Sequence, residues 1–159
     1  MKPRPEIDIQ LACQASDIPD EQLIRHWAEA ALQAGGADSG SITVRIVEPE
    51  ESRQLNAGYR GKDRATNVLS FPFSMPEGLP EGALETILGD LVICAAVVNH
   101  EASEQDKTSE AHWAHMLTHG VLHLLGHDHQ SEQDASEMES LECRILADLG
   151  FANPYESNR

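Results

Sequence analysis

Seven of the eight histidines in this chain fall between His100 and His129, and the densest stretch is HGVLHLLGHDH, residues 119–129. His119 and His123 are four apart, so a helix would stack them one turn apart on the same face. Two imidazoles placed in this way can bind one metal ion. Gly126 follows three residues after His123, where a glycine can end a helix with a positive φ and turn the chain back. That return could carry His129 to the same ion. Three neutral nitrogen ligands with one position left open are what a catalytic zinc ion requires. His115/His119 is a rival pair, because His112, His115, His119 and His123 share about 80° of helix face. The turn just past His123 favours His119/His123. His127 is the alternative third ligand, although it follows the turn closely. Asp128 would either orient a ligand imidazole or serve the turn itself.

The spacing His-x-x-x-His-x-x-Gly-x-x-His is the ligand spacing of metzincin proteases. Those enzymes carry Glu directly after the first His, as general base. Here that position is Gly120. The spacing keeps the metal and removes the base, which disfavours a peptidase acting through it.

A second cluster lies upstream. Arg53, Arg60, Lys62 and Arg64 are four of the eleven Lys and Arg residues and span twelve positions. With Asp63 they leave a local charge of +3 in a chain whose net charge is −16. A solvated helix end would give the same composition. The functional reading is an anion site, because Arg can make two parallel hydrogen bonds to phosphate oxygens. Arg60 and Lys62 are the candidate substrate contacts, and Tyr59 offers a face on which a base can stack. Thr66 and Asn67 open a strand, where side chains are held rigidly. A cationic patch beside a zinc ion suits phosphodiester hydrolysis better than peptide hydrolysis. Nothing in the order of residues requires the two clusters to meet.

The elements that must position them are legible from periodicity. Residues 6–12 alternate as a strand, and Asp20 caps a helix carrying Leu23, Ile24, Trp27, Ala30 and Ala31, which Gly35-Gly36 stops. Residues 41–47 form a second strand, and Pro49 starts a short helix through Leu55. Strands follow at 66–73, where Pro72 marks an edge or an end, and at 86–94. The intervening 74–82 is a turn-rich loop of a length that fits a flap. Thr108 caps a helix to about Leu125, and a last helix runs over roughly 133–149 to Gly150. The expectation is an α/β (α+β) fold: one domain over 1–159, with a four-stranded mixed sheet and five or six helices.

The whole chain sets limits. Its 159 residues suit one domain with a real core. The 27 Asp and Glu against 11 Lys and Arg argue against a nonspecific nucleic-acid coat but leave room for a local basic site. Three scattered cysteines without a C-x-x-C pair argue against a disulfide framework and for a reducing compartment. The start, MKPRPEIDIQ, lacks the apolar core of a signal peptide, and no apolar run nears the roughly 20 residues that span a bilayer. A cytoplasmic protein without a membrane partner is expected.

The two clusters together resemble the YbeY family of metal-dependent endoribonucleases. The family motif His-Gly-x-Leu-His-Leu-x-Gly-x-Asp-His is matched by His119, Gly120, Leu122, His123, Leu124, Gly126, Asp128 and His129. LNAGYRGKDRATNVLSFPF, residues 55–73, is similar to the family's second signature. The order of elements and the final acidic helix agree as well. The resemblance implies one zinc ion on His119, His123 and His129. It matches Arg60 to the family's functionally important arginine. It implies single-stranded RNA as substrate, work on the 3′ end of small-subunit ribosomal RNA and in ribosome quality control, and the ribosome and its assembly factors as partners. Asn67 stands where many relatives carry Asp. The alternatives are a metal-dependent hydrolase of another class, such as a small peptidase, or a non-catalytic assembly factor with structural zinc.

Overall fold

A computed structural model of the chain describes residues 5–14, 17–37, 40–72, 87–127 and 131–155. In order they form β1 (Pro5–Ala12), α1 (Glu21–Ala34), β2 (Gly40–Val47), α2 (Pro49–Arg60), β3 (Val68–Pro72), β4 (Ile87–Cys94), α3 (Ala95–Glu104), α4 (Ser109–Leu124) and α5 (Glu132–Asp148). The strands make one sheet in the order β1-β2-β4-β3. β1, β2 and β4 are parallel, and β3 runs antiparallel to β4 at the edge. The expected α/β class, mixed four-stranded sheet and helix number are all present. The turn-rich loop over 74–82 lies outside the described residues.

The helix ends follow local chemistry. The Asp20 carboxylate accepts the Gln22 N–H at 2.8 Å, and the Thr108 hydroxyl accepts the Ala111 N–H at 3.1 Å. Each satisfies a donor that the first helical turn leaves without an intrahelical partner. α2 runs past the expected Leu55 to Arg60, where Gly61 takes the left-handed conformation, φ 71°, that closes the last turn. Two buried polar side chains of α2 hold the following segment against it. Ser52 Oγ donates to the Thr66 carbonyl at 3.1 Å and accepts the Thr66 N–H at 3.0 Å, and Asn56 Nδ2 donates to the Arg64 carbonyl at 2.9 Å.

The sheet is covered on both faces. Ile7, Ile42, Val44, Ile46, Leu91 and Ile93 pack with Trp27 and Leu32 of α1, with Trp113, Leu117 and Val121 of α4, and with Met138 and Ile145 of α5. The alternate strand positions Val47, Leu69, Val92 and Cys94 form a smaller cluster against Leu55 of α2. Helix α4 lies very close to the sheet. A Cβ at Gly120 would stand 2.9 Å from Leu91 Cδ2 and 3.1 Å from Val68 Cγ2. Ser70 Oγ donates to the Gly120 carbonyl at 3.0 Å across the same contact.

Gly89 of β4 closes the edge of this layer. Its φ is +146°, and a Cβ there would run into the Phe71 carbonyl oxygen and come within 2.8 Å of Leu124 Cδ2. The Phe71 oxygen belongs to the paired backbone and cannot rotate away. Gly89→Ala should therefore lower unfolding stability by more than about 2 kcal/mol, read as a fall in the midpoint of thermal unfolding. A midpoint equal to that of the wild type would contradict this packing.

Candidate metal and phosphate site

One cleft of about 540 Å³ is lined by the end of α2, by edge strand β3 with the residues that lead into it, and by one face of α4. Tyr59 and Arg60 stand on its first wall, Asn67 and Ser70 on its second, and His119 and His123 on its third. Arg60 of the basic cluster and the histidine pair, distant in sequence, thus share one space. Arg60 is exposed and makes no ion pair among the described residues. Lys62 is exposed just beyond Gly61 and is not on the cleft wall. Arg53 is turned to internal use: it pairs with Glu50 at 2.6 Å and with Asp63. Hydrogen bonds that it donates to Glu50 first, then to Asp63, raise its pKa further above its ordinary value. The patch that faces the cleft is therefore smaller than the composition implies.

Within α4 the histidines are sorted by what they touch. His119 Nε2 and His123 Nε2 lie 3.2 Å apart. Two nitrogens each about 2.0–2.1 Å from one tetrahedral ion stand about 3.3 Å apart, so this pair fits a shared ion. The other ring nitrogen of His119, Nδ1, is 3.4 Å from Glu142 Oε1. That is the outer carboxylate partner that ligand histidines characteristically have. His115 turns inward and places Nε2 2.9 Å from Glu142 Oε1. His112 places Nε2 2.9 Å from Glu101 Oε1, and burial lowers its pKa against the raising effect of Glu101. Both are buried, so the rival pair His115/His119 is not the one facing the cleft. Gly126 has φ +99°, and the His127 N–H donates to the Leu122 carbonyl at 3.0 Å, which turns the chain back as the sequence predicts. His127 is not on the cleft wall. His129 and Asp128 lie outside the described residues. Among the described residues, no third His, Cys, Asp or Glu completes a three-ligand group.

Gly120 has a structural reason to be glycine. The side chain that metzincin peptidases carry at this position would collide here with Leu91 and Val68.

Two carboxylates escaped the sequence reading. Glu142 lies in the final acidic helix, yet its side chain is fully buried. Burial pushes its carboxyl up. Hydrogen bonds from His115 and His119, with their charges, outweigh that and hold it at about 2. The spacing did contain a signal: Met138, Glu142, Ile145 and Leu149 follow one helical stripe. Glu101 is the second. It accepts from Asn67 Nδ2 at 3.1 and 3.3 Å, and Asn67 Oδ1 accepts the Val68 N–H at 2.6 Å. Asn67 thus ties the start of β3 to α3, with both ends of its amide engaged inside the protein.

A model of the family Endoribonuclease YbeY matches residues 8–150 of this chain. An Endoribonuclease YbeY from Alcanivorax borkumensis is 59% identical over 153 residues, covering 96% of this chain and 87% of that one. A Thermotoga maritima protein solved in solution superposes with a TM-score of 0.57 over 94% of this chain and 99% of its own, at 23% identity, which establishes likeness of fold. The chain belongs to the YbeY family.

The position of Asn67 gives a direct test of this wall. Asn67→Asp would set a second carboxylate about 3 Å from Glu101, raising the pair's affinity for a proton in the folded state. The variant should lose about 1–2 kcal/mol at pH 7 and recover as pH falls toward about 4.5, because there the folded state binds the extra proton. Thermal unfolding across this range checks it, and a pH-independent difference from wild type would contradict it.

Proposed function

We propose that this chain is a zinc-dependent endoribonuclease that cuts single-stranded RNA in the maturation of the small-subunit ribosomal RNA 3′ end and in ribosome quality control. The observation that carries this reading is that Arg60 shares one cleft with a histidine pair whose Nε2 atoms are spaced for a single ion. Family membership supports the reaction class.

His119, His123 and His129 are the residues that would hold the ion. When bound, zinc supplies Lewis-acid polarisation of the attacking water or of a phosphate oxygen. The remaining work falls to the chain. Arg60 binds the scissile phosphate through two parallel hydrogen bonds and neutralises the charge that develops there. Lys62, exposed just past the end of α2, attracts the neighbouring backbone. Tyr59 is 56% exposed and rests on Phe71, with ring centroids 4.5 Å apart. It presents a rigid face on which an unpaired base can stack, a contact that a duplex cannot make. The end groups of the product identify the nucleophile, since a 2′,3′-cyclic phosphate arises only by attack of the RNA's own 2′-hydroxyl.

Charge supports the choice of partners. Glu132, Asp134 and Glu137 of α5 are exposed, so much of the surface repels RNA while one cleft accepts it. The ribosome and its assembly factors then deliver the substrate, and naked RNA binds weakly. Among the described residues no helix is long and apolar enough to cross a membrane. The reading places the protein in the cytoplasm.

Pure protein and its Arg60→Glu variant, assayed on single-stranded RNA with metal content measured by elemental analysis, test the proposal. The wild type should carry one zinc per chain and cleave. Arg60→Glu should keep the zinc and lose at least about 100-fold in rate. Wild type without zinc, or equal cleavage by both proteins, would sink it. Because ligation needs neutral imidazoles, zinc and activity should both fall away below about pH 6 and return on neutralisation with zinc.

A further inference from the structure

The C-terminal segment after α5 folds back over α5 and the histidine-bearing α4. The Phe151 N–H donates to the Leu146 carbonyl at 2.8 Å, and its ring meets Trp27 edge-on at 5.8 Å. Asn153 Oδ1 accepts the Tyr155 N–H at 2.8 Å and the Cys143 thiol at 3.2 Å. These contacts bring the Tyr155 hydroxyl onto Glu142, 2.9 Å from Oε1 and 3.1 Å from Oε2. The Tyr155 ring also meets His115 edge-on at 5.3 Å. Glu142, with no exposed surface, therefore takes donors from Tyr155, His115 and His119. A buried carboxylate accepts hydrogen bonds and gives none, so its orientation is set by the donors that surround it.

We propose that Tyr155 and Glu142 are positioning residues for the metal-holding face: Tyr155 locks the Glu142 carboxylate, and Glu142 fixes the ring of His119. The proposal rests on the metal reading given above and adds what prepares the ligand. An ionised carboxylate facing Nδ1 puts the ring proton on that atom, which leaves the lone pair on Nε2. Nε2 is the atom that faces His123 Nε2. His115 Nε2 lies 2.9 Å from the same carboxylate and 3.2 Å from the Tyr155 hydroxyl, which itself donates to Glu142, so the ring proton lies on Nε2, and the buried Nδ1 has no partner among the described residues. One carboxylate thus assigns opposite tautomers to two histidines a turn apart, making one a cleft-facing ligand and the other an inward support. Tyr155 reaches this point from a segment that sequence periodicity leaves without an element. Burial and then the charge of Glu142 push the pKa of its phenol well above the ordinary value, so it keeps the proton that it shares with Glu142.

Tyr155→Phe removes only the hydroxyl and keeps the ring against His115. Two readouts on the pure protein test the idea. In the metal-free protein, long-range proton–nitrogen spectra of labelled histidine report the tautomer directly. The wild type should show His119 protonated on Nδ1 and His115 on Nε2, and Tyr155→Phe should show mixed tautomers at His119. In zinc competition against a chromophoric chelator, Tyr155→Phe should bind about 10-fold more weakly. Glu142→Gln should weaken zinc further. His119 protonated on Nε2 in the wild type, or variants with wild-type tautomers and wild-type zinc affinity, would overturn the proposal. A wild type that binds no zinc but shows the expected tautomers would overturn the metal reading and leave the positioning intact.

Discussion

The close approach of α4 to the sheet governs the rest of the structure. A helix normally stands off a sheet by the length of its side chains. At Gly120 there is none, and Leu91 and Val68 fill the space where a Cβ would sit. This brings the helix down onto the edge strand, where Ser70 bonds to the Gly120 carbonyl. His119 and His123 flank that glycine. Lowering the helix there sets both of them against β3 and, across it, against the end of α2 that carries Arg60. A glycine that looks like a lost catalytic residue is, in this fold, the condition for the cleft.

The same helix carries four histidines on adjacent faces, and two carboxylates, a buried Glu142 and a half-buried Glu101, divide their roles. Glu101 from α3 takes His112, and Glu142 from α5 takes His115 and one nitrogen of His119. What remains turned to the cleft is the Nε2 pair of His119 and His123. Placing a carboxylate in an interior costs several kcal/mol unless hydrogen bonds replace its water. Glu142 meets that condition with three donors. The acidic character of the chain is therefore of two kinds: an exposed set that limits where RNA can lie, and an inward-facing pair, Glu101 and Glu142, that orients imidazoles.

Much of this was legible beforehand, and the reasons differ by feature. The strands, the caps at Asp20 and Thr108, and the turn at Gly126 depend on neighbours within a few residues, so periodicity and turn chemistry reveal them. His119 and His123 were found because a single helical turn fixes their spacing. The meeting of Arg60 with that pair was not derivable from spacing, since it depends on β3 lying between two helices distant in sequence. The extension of α2 to Arg60 depends on Ser52 and Asn56 bonding to residues 64–66, a tertiary effect that local propensity does not carry. Glu142 and Glu101 were missed because an inward-facing carboxylate looks like any other acid until its donors are known. Lys62 has the right charge but stands off the cleft wall.

The central claim is that Arg60 and the histidine pair act on one phosphodiester bond. Single-turnover cleavage of one single-stranded RNA by the wild type, Arg60→Ala, His123→Ala and the double variant tests it most directly. Groups that act together on one transition state give strongly non-additive losses. Each single variant should fall by at least about 100-fold, and the double variant should be little slower than the worse of the two. A wild-type rate in either single variant, or a double variant whose loss is the product of the two, would contradict a shared site.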